Sequence, residues 1–298
     1  MVRCPIAGRR CLEEELEGRR ETYGMGDNSP NEIVSHYNQA DEASRLRTGW
    51  FQLEQARTRE LILRHIPSPP ARVLDIGGGA GAYALWLAER GYEVHLVDAV
   101  PRHVEQALAG SAKQPQHPLA SAEVGDARKL KQADQSADAV LLLGPLYHLT
   151  ERKDRLTALR EVHRVLRAKG LVWVAGISRF ASLVESLSGG FFDRPEFAPI
   201  LDRDLAEGQH RKPTDNLMYF TDAFLHRPEE LAAELAEAGF EPVEVVAIEG
   251  PGWLARDFES IWNDQGRRER LLALLRTVED EPALIGASSH IMAIGRKG

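Results

Sequence analysis

Cysteine is nearly missing from this chain: 298 residues contain two, Cys4 and Cys11. Both lie in a stretch that reads as outside the fold, so neither a disulfide framework nor a thiolate metal centre can be built. Histidines are scattered, with no close pairing at ligand spacing, so no metal site is expected. No run of eighteen apolar residues occurs, which excludes a membrane-spanning helix. The first ten residues, MVRCPIAGRR, lack the apolar centre of a secretion signal, and a cytoplasmic location is the expectation. Basic charge is also short. The formal net charge is −8, which argues against a nucleic-acid partner, whose backbone needs clustered Lys and Arg. The basic stretch Arg152 to Arg167 reads as a solvated helix face. There is no internal repeat and no low-complexity tract. The 43% hydrophobic content is ordinary for a globular protein with a proper core.

The strongest signal present is Arg72-Val-Leu-Asp-Ile-Gly-Gly-Gly-Ala-Gly-Ala-Tyr83. An apolar strand runs into glycines at 77, 78, 79 and 81, and a helix then opens. Asp98 ends the next apolar run. A strand, a glycine turn, a helix and a carboxylate at the next strand end form the arrangement that holds a nucleoside ribose. The glycines let backbone approach a ligand where a Cβ would clash. The carboxylate can accept both hydrogen bonds of a cis-diol. The plainer alternative is a tight turn with Asp98 as a helix cap. A phosphate-binding loop would end Gly-Lys-Ser/Thr, and this one ends Gly81-Ala82-Tyr83. Asp75, two residues before the turn, sits where it could point into the ligand crevice.

Strand and helix alternate from Ala71 onward. Strands are expected over Arg72–Ile76, Tyr92–Val97, Ala120–Val124, Ala139–Leu143 and Leu171–Gly176, with helices over Gly81–Arg90, Pro101–Ala109 and Arg152–Ala168. That alternation argues for a parallel sheet covered on both faces. Residues 1–26 read as a disordered tail, with Met25 a possible true start. Residues 27–66 read as a helical cover, with helices over Asn31–Gln39 and Thr48–His65. Residues 67–298 form the main domain, interrupted over 178–226 by an insertion with no clear βα unit, expected to act as a lid. A helix over Pro228–Ala238 and strands over Val243–Ile248 and Ser289–Gly295 close the sheet, with one or two helices within Asp257–Thr277.

These motifs resemble the class I S-adenosylmethionine-dependent methyltransferases of the small-molecule type. The resemblance covers residues 71–178 well and the last two strands more loosely. It implies a Rossmann-like, doubly wound α/β fold with a mostly parallel seven-stranded sheet and an antiparallel final strand. It implies S-adenosyl-L-methionine as cofactor. Its first motif falls on Leu74 to Gly81, which points to Asp75, Gly77, Gly79 and Gly81 as cofactor-binding. Asp98 matches the family's ribose carboxylate. Gly125-Asp126-Ala127 resembles the segment whose Asp side chain and next amide meet the adenine. Leu143-Gly144-Pro145-Leu146-Tyr147-His148 resembles the segment beside the methionine end and the acceptor. Tyr37 corresponds to a tyrosine that an N-terminal helix folds over the cofactor.

The expected activity is methyl transfer to a small organic acceptor at O or N, by a monomer or homodimer without nucleic-acid or membrane partners. The alternatives are a nicotinamide-dependent dehydrogenase, whose G-x-G-x-x-G differs from the G-x-G-x-G here, and a non-catalytic S-adenosylmethionine-binding protein. Protein or RNA methylation is weakened by the charge and by the missing Asn/Asp-Pro-Pro-Tyr/Phe signature. His148 is the candidate catalytic base, or else a packing residue. Arg59 is expected to pair with Glu42 or to reach the cofactor carboxylate. The insertion's aromatics, Phe180, Phe191, Phe192, Phe197, Tyr219 and Phe220, suit either an acceptor pocket or lid packing. His226 is expected to cap a helix or lie on the surface, and Trp253 to sit on a loop that could line the pocket.

Overall fold

The computed structural model describes residues 45–190, 192–212 and 220–298. The expected tail, the helix over Asn31–Gln39, Tyr37, Glu42, Phe191 and Tyr219 lie outside the described residues. The first complete helix among the described residues, α1 (Phe51–His65), ends as the chain nears Pro67. The βα rhythm then follows: β1 (Arg72–Ile76), α2 (Ala84–Ala88), β2 (Glu93–Asp98), α3 (Pro101–Ala112), β3 (Ser121–Val124), β4 (Ala137–Leu142), α4 (Pro145–His148), α5 (Arg152–Val165) and β5 (Leu166–Ser178). After these come α6 (Ala181–Gly189), α7 (Ala198–Glu207), β6 (Gln209–His210), β7 (Ala223–His226), α8 (Pro228–Glu237) and β8 (Phe240–Ala247). A 3-10 turn (Gly250–Leu254), α9 (Phe258–Asn263), α10 (Gln265–Arg276), α11 (Pro282–Ile285) and β9 (His290–Lys297) complete the chain.

The main sheet runs β3-β2-β1-β4-β5, all parallel. β9 pairs antiparallel with β5 over Leu171–Ile177, and β8 pairs antiparallel with β9. This is the mostly parallel α/β sheet expected, with the last strand reversed. Alternate side chains split the core into two layers. Val73, Leu96, Leu141, Trp173 and Met292 face α1, α2 and α3, whereas Leu74, Val140, Val172 and Ala293 face α5 and α8. Trp173 is fully buried, and its indole N–H donates to the Leu61 carbonyl at 3.2 Å. Arg57, also fully buried, ties α1 to Glu279 and to the Ile248 carbonyl. These bonds fix the face of α1 that looks toward the glycine turn.

Two elements differ from the expectation, and the segment expected to hold one or two helices holds two. β5 begins at Leu166, where α5 ends, because Leu166 pairs with Ala137 before a register shift restores the ladder from Ala139. The Asp257–Thr277 segment breaks at Asp264, whose carboxylate caps α10 by accepting the Arg267 N–H at 2.9 Å. The insertion is structured: α6 and α7 pack together, and β7 adds to β5 beside Ile177 and Ser178. His226 is therefore not a cap or surface residue. It is the last residue of a strand, fully buried, with its Nε2 3.4 Å from Glu234.

Candidate functional site

At the C-terminal ends of β1 and β4, where open α/β sheets bind ligands, lies a cavity of about 620 Å³. The glycine turn forms one wall. Gly77, Gly79 and Gly81 all have positive φ, at 69°, 55° and 89°. A Cβ on Gly77 would lie 2.3 Å from the Pro145 ring, and one on Gly78 would lie 2.8 Å from the Asp75 carboxylate. The turn is thus threaded between two fixed neighbours, and no side chain fits at Gly77 or Gly78.

Asp75 lines the cavity and is 1% exposed. Its Oδ2 has no hydrogen-bond partner. Burial, helped by the nearby Asp98 charge and opposed by the Ala84 N–H, pushes its pKa up to about 7. Leu143, Gly144 and Tyr147, from the segment after β4, form part of the same wall. Arg59 also faces the cavity, lying over the Trp86 ring at 5.0 Å with its Nε unpartnered. Burial lowers its pKa, which marks a cation held partly out of water.

Asp98 stands behind the turn and outside the cavity lining. Its Oδ2 accepts the Gly79 N–H at 2.8 Å; its Oδ1 accepts the Val100 N–H at 2.9 Å and lies 3.1 Å from His103 Nδ1. The carboxylate therefore holds the loop and caps the approach to α3. Asp126 is likewise engaged. Arg128 donates to both of its oxygens, at 2.7 to 3.2 Å, and reaches Asp154 as well. Burial works to raise the Asp126 pKa, but Arg128 holds it below the ordinary value. Ala127 is buried in the core layer under α5.

His148 is buried but is not among the cavity-lining residues. Its ring stacks on Phe220, with centroids 5.7 Å apart, and sits 4.6 Å from the Tyr147 ring. Among the described residues, the insertion's aromatics do not line the cavity. Phe197 packs in the lid's own small core, and the Arg227 guanidinium lies over Phe180. Trp253 donates its indole N–H to the Ala287 carbonyl at 2.9 Å and packs near Trp50, away from the cavity.

A polar group that sequence reading missed closes another part of the cavity. Glu54, on α1, is held by Arg45 at 2.7 and 3.1 Å. Burial works to raise its pKa, but Arg45 and His290 hold it below the ordinary value. His290, at the start of β9, lines the cavity, and its Nδ1 lies 2.7 Å from the fully buried Glu249. Burial works against its charge, yet Glu249 and Glu54 carry its pKa above the usual 6.5. Positions 54, 249 and 290 share no short spacing, so only the β8–β9 pairing and the packing of α1 bring them together. Tyr83 lies close by, its pKa driven up by burial and by Glu54.

Residues 73–170 match the family model of a methyltransferase domain. An uncharacterised methyltransferase of Mycobacterium tuberculosis is 36% identical over 111 residues, covering 36% of this chain and 42% of that protein. Methyltransferase GfsG of Streptomyces halstedii is 27% identical over 170 residues, covering 51% of this chain and 60% of that one. The matches thus span less than two thirds of either relative. Among solved structures, a SAM-dependent methyltransferase of Methanosarcina mazei superposes with a TM-score of 0.53 at 19% identity, covering 80% of this chain and 96% of its own. The [4+2]-cyclase SpnF superposes at 0.52 and 18% identity, covering 90% and 92%. At these identities the likeness concerns the fold.

Proposed function

We propose that this chain, whose residues 73–170 match the family model of a methyltransferase domain, is a class I enzyme that moves the methyl group of S-adenosylmethionine to an oxygen or nitrogen of a small organic acceptor. One observation carries the reading. A fully buried carboxylate, Asp75, has an unsatisfied oxygen beside a glycine turn that admits no side chain at Gly77 or Gly78. Such a group costs free energy unless a cation or donor reaches it. The cofactor has both an ammonium and a sulfonium. Asp75 would face its positive end and Arg59 its carboxylate. The backbone of Gly77, Gly79 and Gly81 would let it approach closely, and Leu143 would pack against it. Nothing supports the dehydrogenase alternative.

Asp98 would take the ribose hydroxyls. Two carboxylate oxygens offer about four acceptor sites, and three are already in use. One site on Oδ2 remains, so holding a cis-diol with both bonds requires one of these three bonds to open. An adenine contact by Asp126 would likewise require its pair with Arg128 to open.

When bound, S-adenosylmethionine supplies the methyl group as an electrophile. The chain's own work is then to bring the acceptor into line and exclude water. A cavity of about 620 Å³ suits small molecules rather than a polymer, and the net charge of −8 agrees. His148, stacked on Phe220 and tilted against Tyr147, would shape the acceptor end through Tyr147, which lines the cavity. Since the fold also carries a [4+2]-cyclase, turnover is the deciding measurement.

Calorimetry with S-adenosylhomocysteine and with NAD tests the cofactor. The expected outcome is binding of the former alone, weakened at least tenfold in Asp98→Ala. Preference for NAD, or unchanged affinity in the variant, would sink the proposal.

A further inference from the structure

We propose that His290, oriented by Glu249, is the general base that takes the proton from the acceptor atom. The proposal rests on the methyl-transfer reading above. His290 opens β9 opposite Ile177, near the end of β5, so its ring stands at the edge of the parallel sheet where ligands bind. It lines the same cavity as the glycine turn and Asp75. Glu249 is fully buried and held by three hydrogen bonds. Its Oε2 accepts the Ser288 hydroxyl at 2.8 Å and the His290 N–H at 2.9 Å, and its Oε1 lies 2.7 Å from His290 Nδ1. Ser288 is itself fixed, accepting the N–H groups of Glu249 and Gly250 at 3.1 and 3.0 Å. This lattice of bonds keeps the proton on Nδ1 and leaves Nε2 as the basic nitrogen for the cavity.

Glu54, Glu249 and His290 each bring a ligand-type atom within 4.8 Å of the others, which a cation could use. The surroundings favour the base. Arg45 already sits on Glu54 with two hydrogen bonds, placing a guanidinium at the cluster, and Glu249 has three bonds to neighbours. The charged groups facing His290 are Glu249 beside it, Glu54 on α1, Arg45 before α1, and Glu185 on α6. The excess of carboxylates stabilises the imidazolium that forms when the proton arrives. In the step, the acceptor's O–H or N–H bond breaks and its proton passes to Nε2. The freed electron pair forms the new bond to the methyl carbon. The carbon–sulfur bond breaks with its electrons remaining on sulfur, and solvent later takes the proton from His290.

The test uses the full chain with S-adenosylhomocysteine bound, and then tritiated S-adenosylmethionine with a panel of phenols, alcohols and amines. By NMR, the His290 ring, assigned by its loss in His290→Asn, should titrate above pH 6.5, and Glu249→Gln should lower that value. An unchanged titration in Glu249→Gln overturns the dyad. In turnover, the acid limb of kcat should follow the His290 titration. His290→Asn should lower kcat about 100-fold with the KM for S-adenosylmethionine unchanged, within the usual range for a general base. His290→Ala should regain activity with added imidazole. Undiminished kcat in His290→Asn overturns the base alone, and loss on adding EDTA with recovery in Mg²⁺ replaces it with a metal site. Wild-type protein that binds cofactor but methylates no panel member overturns the methyl-transfer reading and the base with it. S-adenosylhomocysteine binding and thermal melting of each variant separate these outcomes from misfolding.

Discussion

Replacing Arg155 by Leu should destabilise the protein by about 3 to 5 kcal/mol, the range for breaking a buried ion pair on one side. Arg155 is 2% exposed. Its guanidinium donates to both oxygens of Glu234 at 2.8 to 3.1 Å and to the Leu149 and Thr150 carbonyls at 3.0 and 2.8 Å. It also lies 3.7 Å from the centre of the Phe224 ring. The pKa of Glu234 reflects the same buried charges. Burial works to raise it, but His226 and Arg155 bring it from 4.5 down to about 2. A shift of that size corresponds to about 3 kcal/mol at roughly 1.4 kcal/mol per unit, shared between His226 and Arg155. The sign follows from linkage. A carboxylate depressed in the folded state stabilises above its unfolded value, and that contribution is lost as pH falls from 4.5 toward 2. Urea denaturation of wild type and Arg155→Leu at pH 7 should therefore show the full gap, and the gap should narrow below pH 4.5. The thermal midpoint should fall by roughly 10 °C, at about 2–4 °C per kcal/mol for a domain of this size. Glu234→Leu on top of Arg155→Leu should recover part of the loss, because no buried charge is then left unpaired. A cost under 1 kcal/mol at pH 7, or a gap indifferent to acid, would refute the reasoning.

Asp75 predicts a proton linkage: S-adenosylhomocysteine should bind more tightly as pH rises from 6 to 8 and release protons near pH 7, since its ammonium favours the ionised carboxylate. Calorimetry in two buffers of different ionisation enthalpy measures this, and Asp75→Asn should abolish it. The glycine turn predicts a split: Gly77→Ala meets the Pro145 ring at 2.3 Å and should cost at least a tenfold loss of cofactor affinity, whereas Gly79→Ala meets nothing within 4 Å and should cost less. Equal losses in a direct binding assay would show that backbone conformation rather than crowding sets the constraint.

The sheet was readable in the sequence because buried parallel strands are short, unbroken apolar runs. Arg72–Ile76 stands where the sequence reading put it, and β4 and β2 are off by one or two residues. The glycine turn was readable for a related reason: its constraint is local. The rest depends on contacts between distant positions. β7 has only four residues, Ala223 to His226, and its pairing with Ile177 and Ser178 is what buries His226. Arg155 shares a helix with solvated arginines, and only the placement of Glu234 on α8 turns it inward. Glu54, Glu249 and His290 form a cluster that no spacing rule describes. Asp98 and Asp126 were readable as positions, but their present hydrogen bonds to Gly79 and Arg128 were not.

The placement of β9 sets an order of assembly. It lies between β5 and β8, both of which precede it in the chain. As the polypeptide emerges from the ribosome, β8 has no neighbour to join, and the exposed edge of β5 stays unpaired over Leu171–Ile177. The cavity wall carrying His290 is completed only when this strand slides into place. A chain cut before His290 would keep every glycine and aspartate of the first motifs, yet it would lose a sheet neighbour on two sides and one wall of its cavity together.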